Sequence, residues 1–215
     1  MRDPGIAVAV VTSNLGGNAM AEGQLAGLDR TGLRMLKTYV LWIGIVDYDR
    51  LNGRRQVAAE LELERFVMTL GHARNWELYD DYRVYCIGNA VLANLYKREN
   101  PSDASELASE LRHRVNSSPL EYQIRIGIHF SHNIHFPDIG RTVELPTSGG
   151  RWAGQIQRAA QPGQILVSPE VYEELVNIEV YKRRLRFAWV HDAQVPGQTE
   201  RLYELDMQSA PVHKP

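Results

Sequence analysis

The sequence predicts an α+β domain with a single mixed β-sheet and helices on its faces. Segments rich in β-branched and aromatic residues alternate with segments of helical spacing. Some strands follow each other closely, as in hairpins, and others are separated by a helix, as in crossovers. Apolar residues make up 44% of the 215 residues, which is enough for a core. We expect one domain over residues 31–206, a flexible N-terminal arm over 1–30 and a tail over 207–215.

The first half of the domain has the pattern of a strand, a helix, a hairpin and a second helix. Residues 39–46 predict an apolar strand, and residues 57–70 have helical spacing. Alternation over residues 80–89 predicts a hairpin around Asp80-Asp81, and residues 90–97 are expected to begin a helix. The apolar positions of the first helix are Val57, Ala58, Leu61, Leu63, Val67 and Leu70.

A capping box at Asp103 and Glu106 predicts the start of the next helix, which ends before Pro119. Residues 122–130 predict a strand, and residues 131–150 predict a segment rich in loops. The remainder predicts a helix, a short strand, a helix that begins at Pro169 and a final strand pair. Their ranges are 152–160 for the helix, 165–167 for the short strand, and 180–190 and 201–205 for the pair.

Bulk composition excludes several classes of protein. The net charge of −2 gives no basic field over the whole chain, so we expect neither nucleic acid nor an anionic membrane as a partner. No apolar run approaches the roughly 20 residues that span a bilayer. Cys86 is the only cysteine, which excludes an internal disulfide. We therefore expect a soluble cytoplasmic protein.

Two carboxylates, Asp47 and Asp49, follow the first apolar strand. At the end of a sheet they could hold Mg²⁺ or Mn²⁺ against a triphosphate, because hard cations prefer oxygen ligands and the nucleotide supplies the others. The alternative interpretation is a solvated turn before Asn52-Gly53.

Four motifs occur in an order that resembles the catalytic domain of class III nucleotidyl cyclases. They are Ile45-Val-Asp47, Tyr85-Cys-Ile-Gly-Asn89, Ile124-Arg-Ile-Gly-Ile-His129 and Pro162-Gly-Gln-Ile-Leu-Val-Ser168. The resemblance covers residues 38–206 and implies a cyclase-like fold with a ferredoxin-like core. The short stand-alone domain and its altered base-reading positions are similar to bacterial pyrimidine cyclases, which make cyclic UMP or cyclic CMP in antiphage defence.

The resemblance implies a metal site with an unusual ligand. In this family two aspartates hold a pair of metal ions, so Mn²⁺ or Mg²⁺ is the expected cofactor. Asp47, followed by Tyr48, matches the first aspartate, and Asp49 could contribute as well. Asn89 stands at the second position. Its amide oxygen brings no charge, so we expect weaker metal affinity. The alternative is that Gly88-Asn89 is simply a turn.

Base recognition is expected to differ from that of purine cyclases. Tyr85 falls where the family carries a base-reading lysine or glutamate, and Glu144 falls near the second such position. A phenol fills more of the pocket than a lysine terminus, which favours a smaller base and thus UTP or CTP. The alternative is that Tyr85 is an ordinary aromatic residue of the sheet.

The helix of residues 152–160 aligns with the one that carries the family's transition-state asparagine and arginine. Arg151 stands at the asparagine position and Gln155 at the arginine position. Arg151 is the first candidate to neutralise phosphate charge, and Arg158 is the second. The alternative is that both arginines are solvated surface charges.

The resemblance implies a nucleotidyl cyclase that converts a nucleoside triphosphate to a 3′,5′-cyclic nucleotide and pyrophosphate, as a signal to a separate effector. It also implies a homodimer with active sites shared between subunits. The main alternative is a catalytically degenerate sensor or regulatory module, which Asn89 and Gln155 favour. A dimerisation module without a ligand is a third alternative.

Three histidines, His129, His132 and His135, recur at every third position. A zinc site is one interpretation, but three imidazoles on one extended segment converge only across a sharp bend. The family has an Ile-Gly-Ile-His sequence in this strand, so we expect His129 to pack or hydrogen-bond at the sheet.

Overall fold

The fold is a seven-stranded mixed sheet with helices on both faces, in the order β2-β3-β1-β4-β5-β7-β6. The computed structural model describes residues 34–78, 81–96, 100–135, 148–191 and 199–206. The predicted arm over 1–30 and tail over 207–215 therefore lie outside the described residues. Among the strand pairs within the described residues, β4–β5 is parallel and the other five are antiparallel. The predicted α+β class with one mixed sheet is confirmed.

The first strand and helix form where the sequence predicts them, with different boundaries. Strand β1 spans Arg34–Ile45, and helix α1 spans Gly53–Ala73 behind an Asn52 cap that accepts a hydrogen bond from Arg55 N. The buried face of α1 is Ala59, Leu63, Val67 and Leu70, with Gly71. Within the described part of the chain, no helix is long and apolar enough to cross a membrane.

Two of the apolar positions that predicted α1 do not belong to the core, because Val57 and Leu61 are 55% and 61% exposed. The helix turns them away from the sheet, and the face that packs on it begins at Ala59 instead.

The segment after α1 differs from the prediction. Strand β2 spans Tyr82–Ile87 and pairs in a hairpin with β3, Ala90–Tyr96. The turn therefore lies at Gly88-Asn89, not at Asp80-Asp81, and the helix expected over 90–97 is wrong. Gly88 has a φ of 57°, which suits the first position of a two-residue hairpin turn.

Helix α2 spans Pro101–Asn116, and it starts earlier than the predicted capping box. The cap is Asn100, whose side chain accepts a hydrogen bond from Ser102 N, and Pro101 occupies the first helical position. Asp103 thus lies inside the first turn of the helix, not at its cap. The helix ends before Pro119, as predicted.

The remaining elements lie close to their predicted positions, with two errors. The first is that β4 continues through residues 131–135, which were expected to be loop. Strand β4 is Ile124–His135, helix α3 is Ser148–Ala159, strand β5 is Ile165–Val167 and helix α4 is Pro169–Leu175. The region 180–190 is not all strand: a short helix, α5, Glu179–Lys182, precedes β6, Leu185–His191. Strand β7 is Thr199–Leu205.

The two faces of the sheet carry different cores. Helices α1, α2 and α4 bury the first face, whose largest cluster includes Tyr39, Leu41, Ile43 and Ile45 of β1. Helix α3 covers part of the second face over a small cluster of Ile156, Ala160, Leu166 and Leu202. The order β2-β3-β1-β4, with α1 and α2 as crossovers, is the predicted ferredoxin-like core. The second face beside α3 is where the candidate site lies.

Candidate active site

Helix α3 lies unusually close to the second face of the sheet because glycines line the contact. A Cβ built on Gly127 of β4 would lie 2.3 Å from Ala153 O and 2.4 Å from Gln157 N. A Cβ on Gly154 would be 3.3 Å from the Trp42 ring. Glycine at these positions lets the helix backbone approach the strands directly. The neighbouring side chains of α3, Arg151, Gln157 and Arg158, therefore lie over β1 and β4.

A cavity of about 450 Å³ opens between α3 and the neighbouring ends of β1, β3 and β4. This volume is within the range of small-molecule sites in proteins. It combines an aromatic residue, two amides and three arginines. The described residues that line it are Trp42, Gly44, Asn89, Ala90, Arg125, Arg151, Gly154, Gln157 and Arg158.

The cavity is strongly positive. Arg125, Arg151 and Arg158 contribute three guanidinium groups, and no described lining residue is a carboxylate. None of the three arginines forms an ion pair with another described residue. Arg125 Nη1 donates a long hydrogen bond of 3.5 Å to Arg158 O, and its Nε is buried without a partner. The arrangement favours an anion with several oxygen acceptors.

The side chain of Gln157 forms the floor of this cavity. It is 5% exposed, and its amide occupies the space above Gly44, where a Cβ would lie 2.0 Å from Gln157 Nε2. A buried carboxamide that faces a cavity offers both a donor and an acceptor to a ligand.

Asp47 lies at the same end of the sheet as Asn89. Strand β1 ends where Ile45 N donates a 3.0 Å hydrogen bond to Asn89 O of the β2–β3 turn. Two residues later, Asp47 adopts left-handed backbone (φ 50°, ψ 32°) and begins a 3-10 turn over Tyr48–Arg50. Its side chain is 62% exposed, and its Oδ2 lies 3.2 Å from Arg50 Nη1. The structure therefore brings the two candidate metal positions to one edge.

The other candidate metal residues behave differently. Asp49 is exposed on the same 3-10 turn. The Tyr48 hydroxyl is hydrogen-bonded to Glu60 of α1, and this contact, with burial, raises the tyrosine pKa above its usual 10.0. The Tyr48 carbonyl oxygen already accepts hydrogen bonds from Leu51 N and Gln56 Nε2. Tyr48 thus fastens the acidic turn to α1.

The arrangement of oxygen donors fits a hard divalent cation that also binds a ligand. Asp47 and Asp49 supply carboxylates, and Asn89 can supply an amide oxygen at the same edge. No group of three or more His, Cys, Asp or Glu side chains suited to a metal occurs among the described residues. A cation here would consequently need further oxygen ligands from a bound anion.

The remaining predicted site residues are only partly brought together. Arg151 and Arg158 line the cavity with Asn89, whereas Gln155, one helical turn after Arg151, is not among the residues that line it. Tyr85 lies on the second face, across the β2–β3 pair from Leu92. Glu144 falls outside the described residues.

Sequence reasoning missed Arg125, Gln157 and Trp42 as lining residues. Arg125 is followed by Gly127 at the strand period of two, so both lie on the face that α3 covers. Gln157 follows Arg151 and Gly154 at helical intervals, which places the three on one side of α3. Those spacings were the available signal.

His129 packs at the sheet, as expected. Its ring lies 6.3 Å from the Trp152 ring of α3, and Nδ1 lies 3.7 Å from Glu170 Oε2 of α4. Burial lowers its pKa below the usual 6.5, and Glu170 partly opposes this shift.

The sign of this pKa shift gives a prediction for stability. The unfolded state binds a proton at His129 at higher pH than the folded state does. Neutral His129 therefore makes its full contribution to the free energy of unfolding above pH 6.5. This contribution falls as the pH drops below 6.5, by at most about 1.4 kcal/mol per pH unit. Denaturant unfolding measured as the pH is lowered below 6.5 should show a smaller loss of unfolding free energy for His129→Gln than for the wild type. Equal losses would contradict the assignment.

Comparisons with known proteins agree with the fold. No protein-family model matches the chain, and no curated protein matches it. Among solved structures, the adenylyl cyclase CyaB from P. aeruginosa is 14% identical, with a TM-score of 0.59 over 80% of this chain and 95% of that one. The guanylate cyclase domain of RhGC from Catenaria anguillulae, in complex with GTP, is 16% identical, with a TM-score of 0.58 over 79% and 96%.

A third similar structure is an adenylate cyclase from Trypanosoma brucei in its monomeric state, which is 16% identical. Its TM-score is 0.61 over 79% of this chain and 89% of that one. All three alignments cover about four fifths of this chain and most of the other chain. The chain has the fold of adenylyl and guanylyl cyclase catalytic domains.

Proposed function

We propose that this protein is a nucleotidyl cyclase that converts a nucleoside triphosphate to a 3′,5′-cyclic nucleotide and pyrophosphate. The observation that carries the proposal is the juxtaposition of a three-arginine cavity with the sheet end that holds Asp47 and Asn89. A cyclisation needs positive charge around the polyphosphate and a negative edge that can hold a cation. The cavity lies on the second face beside α3, and Asn89 connects the two features: it lines the cavity, and its backbone oxygen accepts the hydrogen bond from Ile45, two residues before Asp47.

The arginines carry the largest part of the proposed chemistry. The 3′-hydroxyl loses its proton to solvent and its oxygen attacks the α-phosphorus, while the bond from that phosphorus to the bridging oxygen of the β-phosphate breaks and pyrophosphate leaves with the bonding electrons. Arg151 and Arg158 lie on one side of α3, where they neutralise the charge that develops on the leaving group. Trp42 and Gly154 form the apolar wall beside them, which limits water around these charges.

The donor set at the acidic edge fits Mg²⁺ or Mn²⁺ together with a triphosphate. Asp47 would be the principal ligand, with Asp49 and the amide oxygen of Asn89 as further donors. When bound, such an ion lowers the cost of ionising the 3′-hydroxyl and screens phosphate charge. Asn89 brings no negative charge, so we expect activity to need a higher metal concentration than a site with two aspartates would.

The proposed substrate is a pyrimidine triphosphate, UTP or CTP. Tyr85 lies on the second face, in one cross-strand row with Leu92 and Trp42, and Trp42 lines the cavity. A bulky phenol in that row leaves less room for a base than a flexible side chain would. We further propose that the cyclic nucleotide signals to a separate effector in antiphage defence, as the sequence resemblance implies.

The proposed active form is a homodimer. Neither Asp47 nor Asp49 lines the arginine cavity of its own chain within the described residues. If a second copy places its acidic edge over this cavity, the carboxylates of one protomer and the arginines of the other form one site. Dimeric and monomeric forms both occur among the guanylyl cyclase domains of similar fold. Sedimentation of the protein with and without nucleotide tests this arrangement.

Product analysis tests the function directly. The purified protein is incubated with each of the four ribonucleoside triphosphates and Mn²⁺, and the products are separated by chromatography and identified by mass. We expect a cyclic monophosphate and an equal amount of pyrophosphate from UTP or CTP. Absence of cyclic product from all four substrates, with a folded protein confirmed by thermal unfolding, would overturn the proposal.

A second candidate function is a nucleotide sensor that has lost catalysis. Two observations favour it: Asn89 stands at the second metal position, and Gln155 does not line the cavity. Calorimetry would then show nucleotide binding while product analysis shows no turnover.

Asn89→Asp distinguishes the two functions. The turn depends on the backbone oxygen of Asn89, which this change keeps, so the hairpin should be unaffected. In an active cyclase we expect the added charge to lower the Mn²⁺ concentration for half-maximal rate about tenfold. Asn89→Ala is the control and should raise it. Absence of cyclic product from the wild type, Asn89→Asp and Asn89→Ala would favour the sensor.

A further inference from the structure

Strand β2 is an edge of the sheet, and part of its outer side is open. Tyr96 N donates a 2.7 Å hydrogen bond to Asp81 O, so every second residue after Asp81 turns its backbone groups toward β3. The backbone N–H and C=O groups of Val84 and Cys86 therefore point outward. An isolated bridge at Tyr82 covers the start of this side, and among the described strands none pairs with the rest of it.

An apolar stripe runs along the outside of helix α1. Val57, Leu61 and Met68 are 55%, 61% and 37% exposed, and we call these three residues the α1 stripe. Leu61 and Met68 follow Val57 by four and eleven residues, which places all three within about 40° of one another around the helix. Single exposed apolar residues are common, whereas apolar residues in one line indicate a contact surface.

Cys86 connects the α1 stripe to the open edge of β2. The residue is exposed, yet partial burial of its thiol, together with the nearby carboxylates of Glu64 and Glu60, raises the pKa of this thiol to about 11. Glu64 lies on α1 between Leu61 and Met68. The thiol, the outward backbone groups of β2 and the α1 stripe therefore border one surface.

The sequence contains a segment that matches this surface. Residues 6–12, Ile-Ala-Val-Ala-Val-Val-Thr, lie outside the described part of the chain and have the composition of a strand. Alternation places Ile6, Val8 and Val10 on one side of such a strand and two alanines on the other. Residues 4–21 carry no charged side chain, so the carboxylates beside the α1 stripe do not repel them.

The length and the reach of this segment also fit. Seven extended residues span about 23 Å, and the α1 stripe spans about 16 Å. Between Thr12 and Arg34 there are 21 residues, five of them glycine. A glycine-rich chain of this length spans about 25 Å on average. Because β2 lies two strands from β1, or about 10 Å, the segment can reach β2 of its own chain.

We propose that residues 6–12 add as a strand to the outer side of β2 in the same chain. The segment would pair with the outward backbone groups of Val84 and Cys86, and its β-branched side would cover the α1 stripe. An open strand edge and an uncharged β-branched segment each favour aggregation when they are exposed. The pairing would hide both within one chain.

The experiment uses Cys86 as the reporter, because it is the only thiol of the chain. A maleimide is added to dilute full-length protein at pH 8, and its addition is followed by mass. The docked strand covers the edge at Cys86, so we expect labelling at least about tenfold slower than after removal of residues 1–12. That ratio corresponds to a segment that is docked about nine tenths of the time. Hydrogen exchange of the peptide over 82–87 should show the same protection.

Point variants test the two sides of the contact. Val8→Asp brings a charge to the acidic surface and should label as fast as the truncated protein. Leu61→Gln removes an apolar contact of the stripe, so it should speed labelling in the full chain and have no effect in the truncated one. Thr69→Gln, exposed on α1 outside the stripe, is the matched control and should change nothing. Thermal unfolding shows that each protein is folded.

Three outcomes would overturn the proposal. The first is equal labelling of the full-length and truncated proteins. The second is protection that grows with protein concentration, which would assign the surface to a second copy. The third is an equal effect of Leu61→Gln with and without residues 1–12, which would show that this change acts on the thiol directly. All three are read at Cys86, whether or not the protein makes a cyclic nucleotide.

Discussion

We expect Asp47→Asn to abolish cyclic-nucleotide formation in a protein that remains folded. Asparagine has nearly the shape of aspartate and tolerates left-handed backbone, which Asp47 adopts with a φ of 50°. The change therefore removes one negative charge and leaves the 3-10 turn in place. Loss of a charged group that acts on the reacting phosphates lowers the rate at least about a hundredfold. Initial rates with the preferred triphosphate over a range of Mn²⁺ concentrations measure it.

Arg50→Gln is the control for this change. Like Asp47→Asn, it breaks the ion pair between Asp47 and Arg50. This pair joins Arg50 Nη1 and Asp47 Oδ2 at 3.2 Å, and because both side chains are exposed it contributes little to stability. The carboxylate remains, so we expect activity close to that of the wild type. If Arg50→Gln lost as much activity as Asp47→Asn, the ion pair and not the cation site would be responsible. Turnover at the wild-type rate in Asp47→Asn would show that Asp47 is not part of the active site.

The sequence predicts the fold class because local patterns and the topology agree. The order of the apolar strands and the helix ends near prolines follow local rules, whereas the hairpin turn was expected at Asp80-Asp81 and lies at Gly88-Asn89. Strand β3 is the clearest exception. Six of its seven residues, over Ala90–Tyr96, are buried, so it lacks the alternation that distinguishes a half-buried strand. A short apolar run of this kind fits a helix or a strand equally well.

The candidate site is less predictable than the fold because it depends on contacts between distant segments. Arg125 and Arg158 are 33 residues apart, and they meet only because β4 and α3 pack through Gly127. The sequence identifies Arg151 and Arg158 as candidates by their place on a helix. It contains no local signal that Gln157 lies over Gly44. Conversely, the exposure of Val57 and Leu61 follows from the orientation of α1 on the sheet, which its spacing alone does not fix.

Gly127→Ala lowers the free energy of unfolding by about 1–3 kcal/mol, the typical cost of overpacking a core. The new methyl group would meet backbone atoms of α3, Ala153 O at 2.3 Å and Gln157 N at 2.4 Å, which no change of rotamer can move away. The whole helix must lift from the sheet. Because α3 carries Arg151 and Arg158, we expect turnover to fall as well. Urea unfolding and initial rates of product formation measure the two effects.

Two other glycines provide matched controls. Gly150 is also in α3, but a Cβ there meets nothing within 4 Å, so Gly150→Ala should leave stability unchanged or raise it by up to about 1 kcal/mol. A Cβ on Gly44 would meet only the flexible end of Gln157, 2.0 Å from Nε2. Gly44→Ala should therefore cost less stability than Gly127→Ala while it displaces the amide from the cavity floor. If Gly127→Ala were as stable as Gly150→Ala, the close approach of α3 to the sheet would be wrong, and the cavity that depends on it would have to be abandoned.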